Sequence, residues 1–313
     1  MKNPLVSVII PNYNHAKYLS QRLDSVLNQT YQNFEVIILD DCSKDDSMEV
    51  INRYKDNKHM AHIIANKENS GSVFKQWNKG FDLAKGELIW IAESDDFCEL
   101  NQLEELVKAY EECPDCILAY TTSLLTEEDG TPYYPQPYKG ENQYFTSRQY
   151  LNRYLSMYCF VLNASSAIFS KEKAKTIQDT YMAFKSAGDY MFWCELVAEN
   201  PDSRIAIVNQ QLNYFRRHPG TVTGTNALNG VLLKEEKYIY DYLCQQLKPS
   251  WLRKRVMLSY RYHRLHINKY PAEKQRELEQ IWHWSYLNNK IDWLFQRMFT
   301  WNIKHLHYYY RFH

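Results

Sequence analysis

The sequence contains no long hydrophobic run. A membrane-spanning helix needs about 18 consecutive apolar residues, and no such stretch occurs. The first residues, Met1 to Pro4, lead directly into an apolar run and lack the pattern of a signal peptide. We therefore predict a cytoplasmic protein that is either soluble or peripheral on the inner face of the cell membrane.

Cysteine shows no pairing pattern. The seven cysteines are scattered and odd in number, which is typical of reduced thiols in a cytoplasm. Cys113 and Cys116 are separated by two residues, but no second such pair completes a zinc site, so we interpret them as structural. The chain also has no internal repeat, which argues against a repeat architecture.

The chain has no net charge, but its charges are unevenly distributed. Residues 1–229 carry 22 Lys and Arg against 30 Asp and Glu, whereas residues 230–313 carry 15 against 7. The two parts therefore have net charges of −8 and +8. At 313 residues, 45% of them hydrophobic, the chain is long enough for a main domain with an appendage. We predict a main domain over 1–229 and a helical, basic and aromatic region over 230–313.

Apolar runs alternate with helical patterns through residue 122. Four runs have the length and composition of buried strands, at 6–10, 34–39, 88–92 and 116–120. Four segments have helical periodicity, at 18–28, 46–54, 73–84 and 101–112. The short run 62–65 supplies a further strand. This alternation predicts an α/β fold with a mostly parallel central sheet.

Carboxylates follow two of the predicted strands. Asp40 and Asp41 end the second apolar run, and Asp95 and Asp96 follow the third. Because ligands bind outside the carboxyl ends of parallel strands, we expect these side chains to share one crevice. Adjacent carboxylates favour a hard divalent cation, which can also hold a diphosphate. The pattern therefore indicates a nucleotide-bearing substrate.

A purely local explanation exists for the same residues. Asp and Ser are common in turns and at helix N-termini, and Asp41 and Ser43 are suited to cap a helix that starts near Asp46. Acidic groups on two neighbouring strands, together with the polar segment Pro11–Asn14 after the first strand, favour a ligand site over simple capping.

Four motifs, taken in order, resemble those of the family 2 glycosyltransferases. They are Pro11-Asn12-Tyr13-Asn14, Asp40-Asp41-Cys42-Ser43, Asn69-Ser70-Gly71 and Ser94-Asp95-Asp96. The resemblance continues through Gly188–Trp193 and Tyr214–Gly220, and it covers about residues 4–225. It implies the nucleotide-sugar-binding fold called GT-A and an inverting transfer of a sugar from a nucleoside diphosphate.

The resemblance also implies donor-binding residues. Pro11, Tyr13 and Asn14 would line the donor site, with Tyr13 stacked on the nucleobase and Asp41 accepting the imino N–H of that base. An aromatic face suits a planar base, and an acceptor-only carboxylate favours uracil or thymine over cytosine. Asp95 would contact the ribose or the metal.

The metal ligands implied by the resemblance are Asp96, Asp95 and, from the C-terminal side, His218. Mn²⁺ or Mg²⁺ would bridge the two phosphates and stabilise the departing nucleoside diphosphate. Because His218 ends the basic run Arg216-Arg217-His218, a merely exposed histidine is an equal alternative. We expect Asp96→Ala to abolish metal-dependent turnover and to leave the fold intact.

The resemblance places the general base at Asp189. In an inverting transfer, a carboxylate takes the proton of the acceptor hydroxyl as that oxygen attacks the anomeric carbon. The family usually has an acidic pair here, whereas this chain has Gly188 before Asp189. Asp189 also precedes an apolar-rich helical pattern over 190–198, so helix N-capping is the structural alternative.

The stretch 69–80 departs from the family pattern, in which an arginine comes just before an asparagine. Lys75 is suited to replace that arginine at the diphosphate, although Trp77 occupies its sequence position. We expect Gly71 to form a tight turn, and we expect Trp77 and Phe81 to pack in the core rather than to contact substrate.

The region 230–313 has helical patterning, with breaks at Pro249 and Pro271, and contains five of the eight tryptophans. Its interleaved aromatic and basic residues suit packing on the main domain, contact with an anionic membrane that carries lipid-linked acceptors, or nucleic-acid binding. We expect no nucleic-acid partner. If the region contacts the membrane, a chain ending near residue 229 should lose vesicle binding and keep the donor site.

Three classes of function fit the acidic strand ends. The leading hypothesis is transfer of a sugar from a UDP- or dTDP-linked donor to a saccharide or lipid-linked saccharide, in cell-surface polysaccharide synthesis. A non-catalytic nucleotide-sugar-binding or scaffolding protein is the alternative, because Gly188 replaces an acidic residue. A phospho-acceptor receiver domain has similar strand ends but is half this length. The irregular stretch 126–146 is a candidate acceptor loop.

Overall fold

The computed structural model of the protein describes residues 3–133, 140–218, 230–264 and 271–282. Its strands are β1 (Val6–Asn12), β2 (Phe34–Asp40), β3 (Met60–Ala65), β4 (Leu88–Ile91), β5 (Phe97–Cys98), β6 (Cys116–Thr126), β7 (Gln143–Thr146), β8 (Ala167–Ser170) and β9 (Arg204–Arg216). Its helices are α1 (Ala16–Leu27), α2 (Ser47–Asn52), α3 (Val73–Leu83), α4 (Gln102–Glu112), α5 (Ser147–Tyr150), α6 (Lys171–Ala174), α7 (Gly188–Ala198), α8 (Val231–Leu247), α9 (Trp251–Arg264) and α10 (Ala272–Trp282).

The strands form one mixed sheet in the order β3-β2-β1-β4-β8-β6-β9-β5, with β7 also paired to β9. Strands β1 to β4 are parallel, and β6 is parallel to β9. Strand β8 lies antiparallel between β4 and β6, while β5 and β7 are antiparallel to β9. The predicted α/β fold with a mostly parallel sheet is confirmed, and the predicted strands and helices of the first 122 residues are all present.

Four strands were not predicted from the sequence: β5, β7, β8 and β9. β8 has only four residues, which is too few for a clear apolar pattern. β9 is 13 residues long, but its centre is the polar sequence Asn209-Gln210-Gln211, which interrupts the hydrophobic alternation. Strands β8 and β9 complete the sheet on the side of β4 that faces away from β1.

The sheet is buried on both faces by helices. Because side chains alternate along each strand, successive residues contribute to opposite cores. In β1, Ile9 joins one core together with residues of α3 and α7, whereas Val8 and Ile10 join the opposite core together with residues of α1 and α4. Both cores have fully buried members, so the ends of the strands are held at fixed positions.

The C-terminal helices pack on the main domain. Ile239 and Leu243 of α8 and Met257 of α9 are fully buried in the same core as α7. Trp282 of α10 is buried in a small separate cluster with Leu233 and Leu278. The packing alternative is therefore confirmed for these helices. Trp284, Trp293 and Trp301 lie outside the described residues. The domain boundary at residue 229 stays a prediction. Within the described chain, none of the helices combines the length and apolarity needed to cross a membrane.

Candidate active site

The loops after β1 and β2 are tied together at the carboxyl ends of the strands. Asn12 Nδ2 donates to Asp40 Oδ1 at 2.8 Å, and Ser43 N donates to Asp40 Oδ2 at 3.0 Å. Asn14 has a left-handed backbone with φ of 56°, and its Oδ1 accepts from Lys44 N at 2.6 Å. Asp40 and Asn14 therefore fix the two loops against each other. Asn14 is exposed, and its donor-binding role stays a prediction.

Asp41 is buried and held from several sides. Its Oδ1 accepts from Asn66 Nδ2 at 2.7 Å, Ser70 N at 2.9 Å and Gln76 Nε2 at 2.9 Å, and its Oδ2 accepts from Ser70 N and Oγ. The capping alternative is wrong for Asp41, because its carboxylate bonds to Asn66, Ser70 and Gln76. At the start of α2, it is Asp45 that accepts the hydrogen bond from Ser47 N. The structure thus brings the 69–76 segment onto Asp41, and Gly71, with φ of 73°, forms the predicted tight turn.

The other predicted donor residues differ in accessibility. Tyr13 follows β1 and is 45% exposed, so its ring is free to stack on a planar ligand. Pro11 is buried in β1. The Lys75 ammonium is exposed and donates to Ser70 O at 3.0 Å. Trp77 is buried among aromatic side chains, which confirms the core role predicted for it.

Three side chains converge into a candidate metal centre. His15, Asp95 and His218 each offer a ligand atom, and these atoms lie within 4.8 Å of one another. His218 Nε2 is 3.1 Å from Asp95 Oδ2, and the His218 side chain is only 7% exposed, so the exposed-histidine alternative is wrong. His15 was missed in the sequence analysis. Its signal was its place directly after the Pro11–Asn14 motif and before α1.

The charges of this cluster suit metal binding. Burial lowers the pKa of His15, which keeps its imidazole neutral and able to act as a ligand. Burial opposes ionisation of Asp95, but the hydrogen bond from His218 helps to bring its pKa below the usual value. His15 Nδ1 lies 2.8 Å from Ser94 Oγ, which leaves the other ring nitrogen for a ligand.

Asp96 lies in different surroundings from Asp95. It is 1% exposed, and its Oδ2 accepts from Ser165 Oγ at 2.6 Å and from Asn163 Nδ2. Its Oδ1 accepts from Arg216 N at 3.1 Å, and the buried Arg22 guanidinium lies 3.8 Å from Oδ2. Asp96 is thus absent from the three-residue cluster, and its carboxylate connects several elements of the fold.

Glu93 is a second residue that the sequence analysis missed, and it is acidic. It is half-buried, and Trp77 Nε1 donates to its Oε1 at 3.0 Å. Burial, followed by the charges of Asp95 and Asp96, raises the pKa of Glu93 to about 8. Glu93 therefore tends to stay protonated at neutral pH, which limits the negative charge at this strand end.

Asp189 lies in the first turn of α7. The N-cap is Ala187, and Asp189 Oδ1 accepts from Tyr190 N at 2.7 Å, so the N-cap alternative is wrong. Burial raises the pKa of Asp189 to about 7, although its side chain keeps partial access to solvent. A carboxylate with a pKa near neutrality is suited to accept a proton.

α7 is connected to the strand ends by aromatic contacts. The Phe74 ring packs against Gly188 and lies 5.1 Å from the Trp77 ring, and Trp77 in turn donates to Glu93. The candidate base and the acidic end of β4 are therefore parts of one rigidly packed region.

Comparison with known proteins places these motifs in a family. A sequence model described as glycosyl transferase family 2 matches residues 7–177, more than half of the chain. A candidate teichuronic acid biosynthesis glycosyltransferase, TuaG of Bacillus subtilis, is 35% identical over 129 residues, or 41% of this chain and 50% of TuaG. Glycosyltransferase GlyG of Streptococcus pneumoniae is 35% identical over 130 residues, or 42% of this chain and 43% of GlyG. The chain thus spans about half the length of these two relatives.

Solved structures share the fold. S. aureus TarS 1–349 in complex with UDP-GlcNAc superimposes with a TM-score of 0.68 at 19% identity, covering 88% of this chain and 79% of TarS 1–349. The Pyrobaculum calidifontis mannosyltransferase PcManGT, in complex with GDP-Man and Mn²⁺, gives a TM-score of 0.53 at 13% identity, covering 98% and 88%. The predicted GT-A fold is confirmed. With the motifs, the fold and the sequence match in agreement, the chain belongs to glycosyl transferase family 2.

Proposed function

We propose that this protein is an inverting glycosyltransferase that moves a sugar from a UDP- or dTDP-linked donor to a saccharide or lipid-linked saccharide, in cell-surface polysaccharide synthesis. The main observation is the pairing of a His15, Asp95 and His218 cluster at the strand ends with a separate carboxylate, Asp189, whose pKa is about 7. The complexes of TarS with UDP and UDP-GlcNAc support a uridine donor, and the names of related proteins support polysaccharide synthesis.

We assign the nucleobase to Tyr13 and Asp41. The exposed Tyr13 ring offers a stacking face, and the Asp41 carboxylate is fixed by Ser70 and Gln76. A preorganised acceptor selects for a base that carries an imino N–H, which uracil and thymine have and cytosine lacks. Because Oδ2 takes bonds only from Ser70 among the described residues, we assign the base contact to this oxygen.

We assign the metal to His15, Asp95 and His218. Two imidazoles and one carboxylate fit Mn²⁺ better than Mg²⁺, because Mg²⁺ favours oxygen ligands and holds several waters. When bound, the ion would stabilise the charge of the departing diphosphate. Asp96 keeps a role in this proposal as the residue that holds the Asp95 segment against Ser165 and Arg216.

Asp189 is assigned as the general base. Its carboxylate takes the proton from the acceptor hydroxyl, and the oxygen attacks the anomeric carbon on the face opposite the leaving group. The bond to the diphosphate oxygen breaks, and that oxygen keeps the electron pair.

The stretch 126–146 is a candidate acceptor loop. Near its start, the Glu128 carboxylate lies 2.6 Å from Lys17 Nζ and accepts a hydrogen bond from the Tyr18 hydroxyl at 2.8 Å. The Tyr18 ring in turn contacts the ring of His218, so this end of the stretch lies near the candidate metal centre.

A donor screen with Mn²⁺ tests this function by measuring both free nucleoside diphosphate and glycosylated product. We expect release to depend on the metal and on a UDP- or dTDP-linked sugar. Donor binding without transfer, across a broad set of acceptors, would instead support a non-catalytic nucleotide-sugar-binding protein. Failure to bind any nucleoside diphosphate would refute both.

We also propose that the start of α9 contacts an anionic membrane. Trp251 is 69% exposed and Leu252 is 47% exposed, and the Arg255 guanidinium lies 5.2 Å from the Trp251 ring centre. Exposed apolar side chains beside cations are typical of interfacial helices, and lipid-linked acceptors are found at such surfaces. The basic aromatic run at 305–311 lies outside the described residues.

A further inference from the structure

The turn that leads into α7 is held by a carboxylate from a distant helix. Glu235 of α8 accepts three backbone hydrogen bonds, from Lys185 N at 2.6 Å to Oε1 and from Ser186 N at 2.9 Å and Ala187 N at 2.8 Å to Oε2. Among the residues that the structure describes, the N-cap position Ala187 has no side-chain cap bond of its own. The carboxylate of Glu235 therefore fills a concave set of backbone N–H groups beside the positive end of the helix dipole.

Gly188, the residue between this turn and Asp189, has no room for a side chain. A Cβ atom at Gly188 would lie 2.3 Å from the Phe74 ring and 2.8 Å from Tyr181 O. An acidic residue, which the family resemblance leads one to expect at this position, cannot fit while Phe74 is present. Glu235 brings a carboxylate to the same turn from another part of the chain.

We propose that Glu235 is a positioning residue for the base Asp189 and that it supplies, from the C-terminal region, the carboxylate missing at Gly188. This inference rests on the proposed transferase function. By occupying the three N–H groups, Glu235 prevents them from attracting the Asp189 carboxylate. Asp189 then binds only Tyr190 N through Oδ1, and its Oδ2 accepts no bond from another residue in the described part of the chain.

The charge of Glu235 acts in the same direction. The titratable groups that face Asp189 are Glu235 and Glu236 of α8, Cys194 of α7 and Cys159. The two glutamates add to the effect of burial and raise the pKa of Asp189, which makes it a stronger base. The two glutamates have different partners. The Glu236 carboxylate lies 3.4 Å from the Arg261 guanidinium, whereas the Glu235 carboxylate accepts hydrogen bonds from the backbone of the turn.

Glu235→Gln tests the proposal, because glutamine keeps the size of the side chain and removes its charge. With Mn²⁺ and donor at saturation, we expect kcat to fall by about tenfold to a hundredfold, the cost of a misplaced catalytic group, with donor KM unchanged. The acidic limb of the kcat–pH profile should move to lower pH, because the pKa of Asp189 falls. Glu235→Ala should show the larger loss. Glu279→Gln, at an exposed site on α10, is the matched control and should leave kcat, KM and the pH profile unchanged.

A second measurement does not depend on activity. Carboxyl ¹³C NMR, with the Asp189 signal assigned from Asp189→Asn, should show a lower Asp189 pKa in Glu235→Gln than in the unaltered protein. An unchanged Asp189 pKa in Glu235→Gln would overturn the proposal. The same holds if Glu235→Gln loses activity only because its melting temperature falls, while the acidic limb of the kcat–pH profile does not move. If the unaltered protein transfers no sugar but NMR still finds a lower Asp189 pKa in Glu235→Gln, the transferase function fails and the electrostatic link between Glu235 and Asp189 stands.

Discussion

Asp95 and Asp96 are adjacent in the sequence, but their side chains have different partners. Asp95 lies beside two histidines, whereas Asp96 is bonded to Ser165 and to the backbone of Arg216. Because of these buried bonds, we now expect Asp96→Ala to weaken the fold rather than to leave it intact. The Asp96 side chain is therefore part of a buried hydrogen-bond network.

Asp96→Ala should lower the free energy of unfolding by about 1 to 3 kcal/mol, because it leaves buried donors of Asn163, Ser165 and Arg216 without their acceptor. Asp95→Ala should cost less, because His218, at 3.1 Å, is the one side chain hydrogen-bonded to the Asp95 carboxylate in the described part of the protein. Denaturant unfolding of both variants measures the difference. Mn²⁺-dependent turnover should be lost in Asp95→Ala and in His15→Ala while both stay folded, and retained turnover in both would contradict the assigned metal cluster.

Asp189 carries a pH prediction. As a base it must be deprotonated, so with a pKa of about 7 the rate should rise about tenfold per pH unit below neutrality and level off above it. Asp189→Asn should keep donor affinity and lose transfer by about two to four orders of magnitude. Steady-state kinetics with parallel donor-binding titrations measure both quantities. Transfer that persists in the asparagine variant would exclude Asp189 as the base.

At the scale of elements, β8 and α7 decide how the site is built. The residues just before β8, Asn163 and Ser165, bond to Asp96, and β8 itself separates β4 from β6. α7 begins with Gly188 against the Phe74 ring of α3. The position of the candidate base thus depends on close packing between two helices that are distant in sequence.

Gly188→Ala should destabilise the protein by about 1 to 3 kcal/mol, because the added methyl group overlaps the Phe74 ring. Phe74→Leu in the same chain should recover part of this loss by removing the overlapping ring atoms. The four proteins of this double-mutant cycle are compared by thermal and denaturant unfolding. Equal destabilisation by Gly188→Ala in both backgrounds would show that the two residues are not coupled.

At the scale of the whole molecule, the C-terminal helices are part of the folded core. A chain ending near residue 229 removes Ile239, Leu243 and Met257 from the core that also contains α7. We now expect this truncation to lower stability severely, because it exposes the apolar surface of α7 and removes Glu235 from the turn at 185–187. Circular dichroism and thermal melting test it, and a truncated chain with unchanged melting would contradict this packing argument.

Membrane contact is better tested by point substitutions than by truncation. Trp251→Ala with Leu252→Ala should reduce co-sedimentation with anionic vesicles at low salt, because both side chains are exposed. Leu100→Ala, at an exposed site outside α9, is the control and should bind as the unaltered protein does. Added salt should weaken binding through charge screening. If the unaltered chain ignores such vesicles at low salt, the membrane proposal fails.

The sequence by itself determined the α/β fold, the acidic strand ends and, apart from the two-residue strand β5, the strands and helices through residue 122. These features depend on local periodicity and on the rule that parallel strands end at one edge of a sheet, so neighbouring residues suffice to predict them. The resemblance pointed to Asp95, His218 and Asp189, but sequence patterning offered no way to separate the surroundings of Asp95 from those of Asp96.

Only the tertiary structure decided which groups meet. The contact between Asp95 and His218 joins residues 123 positions apart, and Glu235 reaches a turn 48 to 50 positions earlier in the chain. Glu93 has no distinctive pattern of its own, and His15 is marked only by its place after the Pro11–Asn14 motif. Both become candidates through burial and neighbours. Burial, pKa and metal-ligand geometry arise from such long-range contacts, and no local pattern in the chain encodes them.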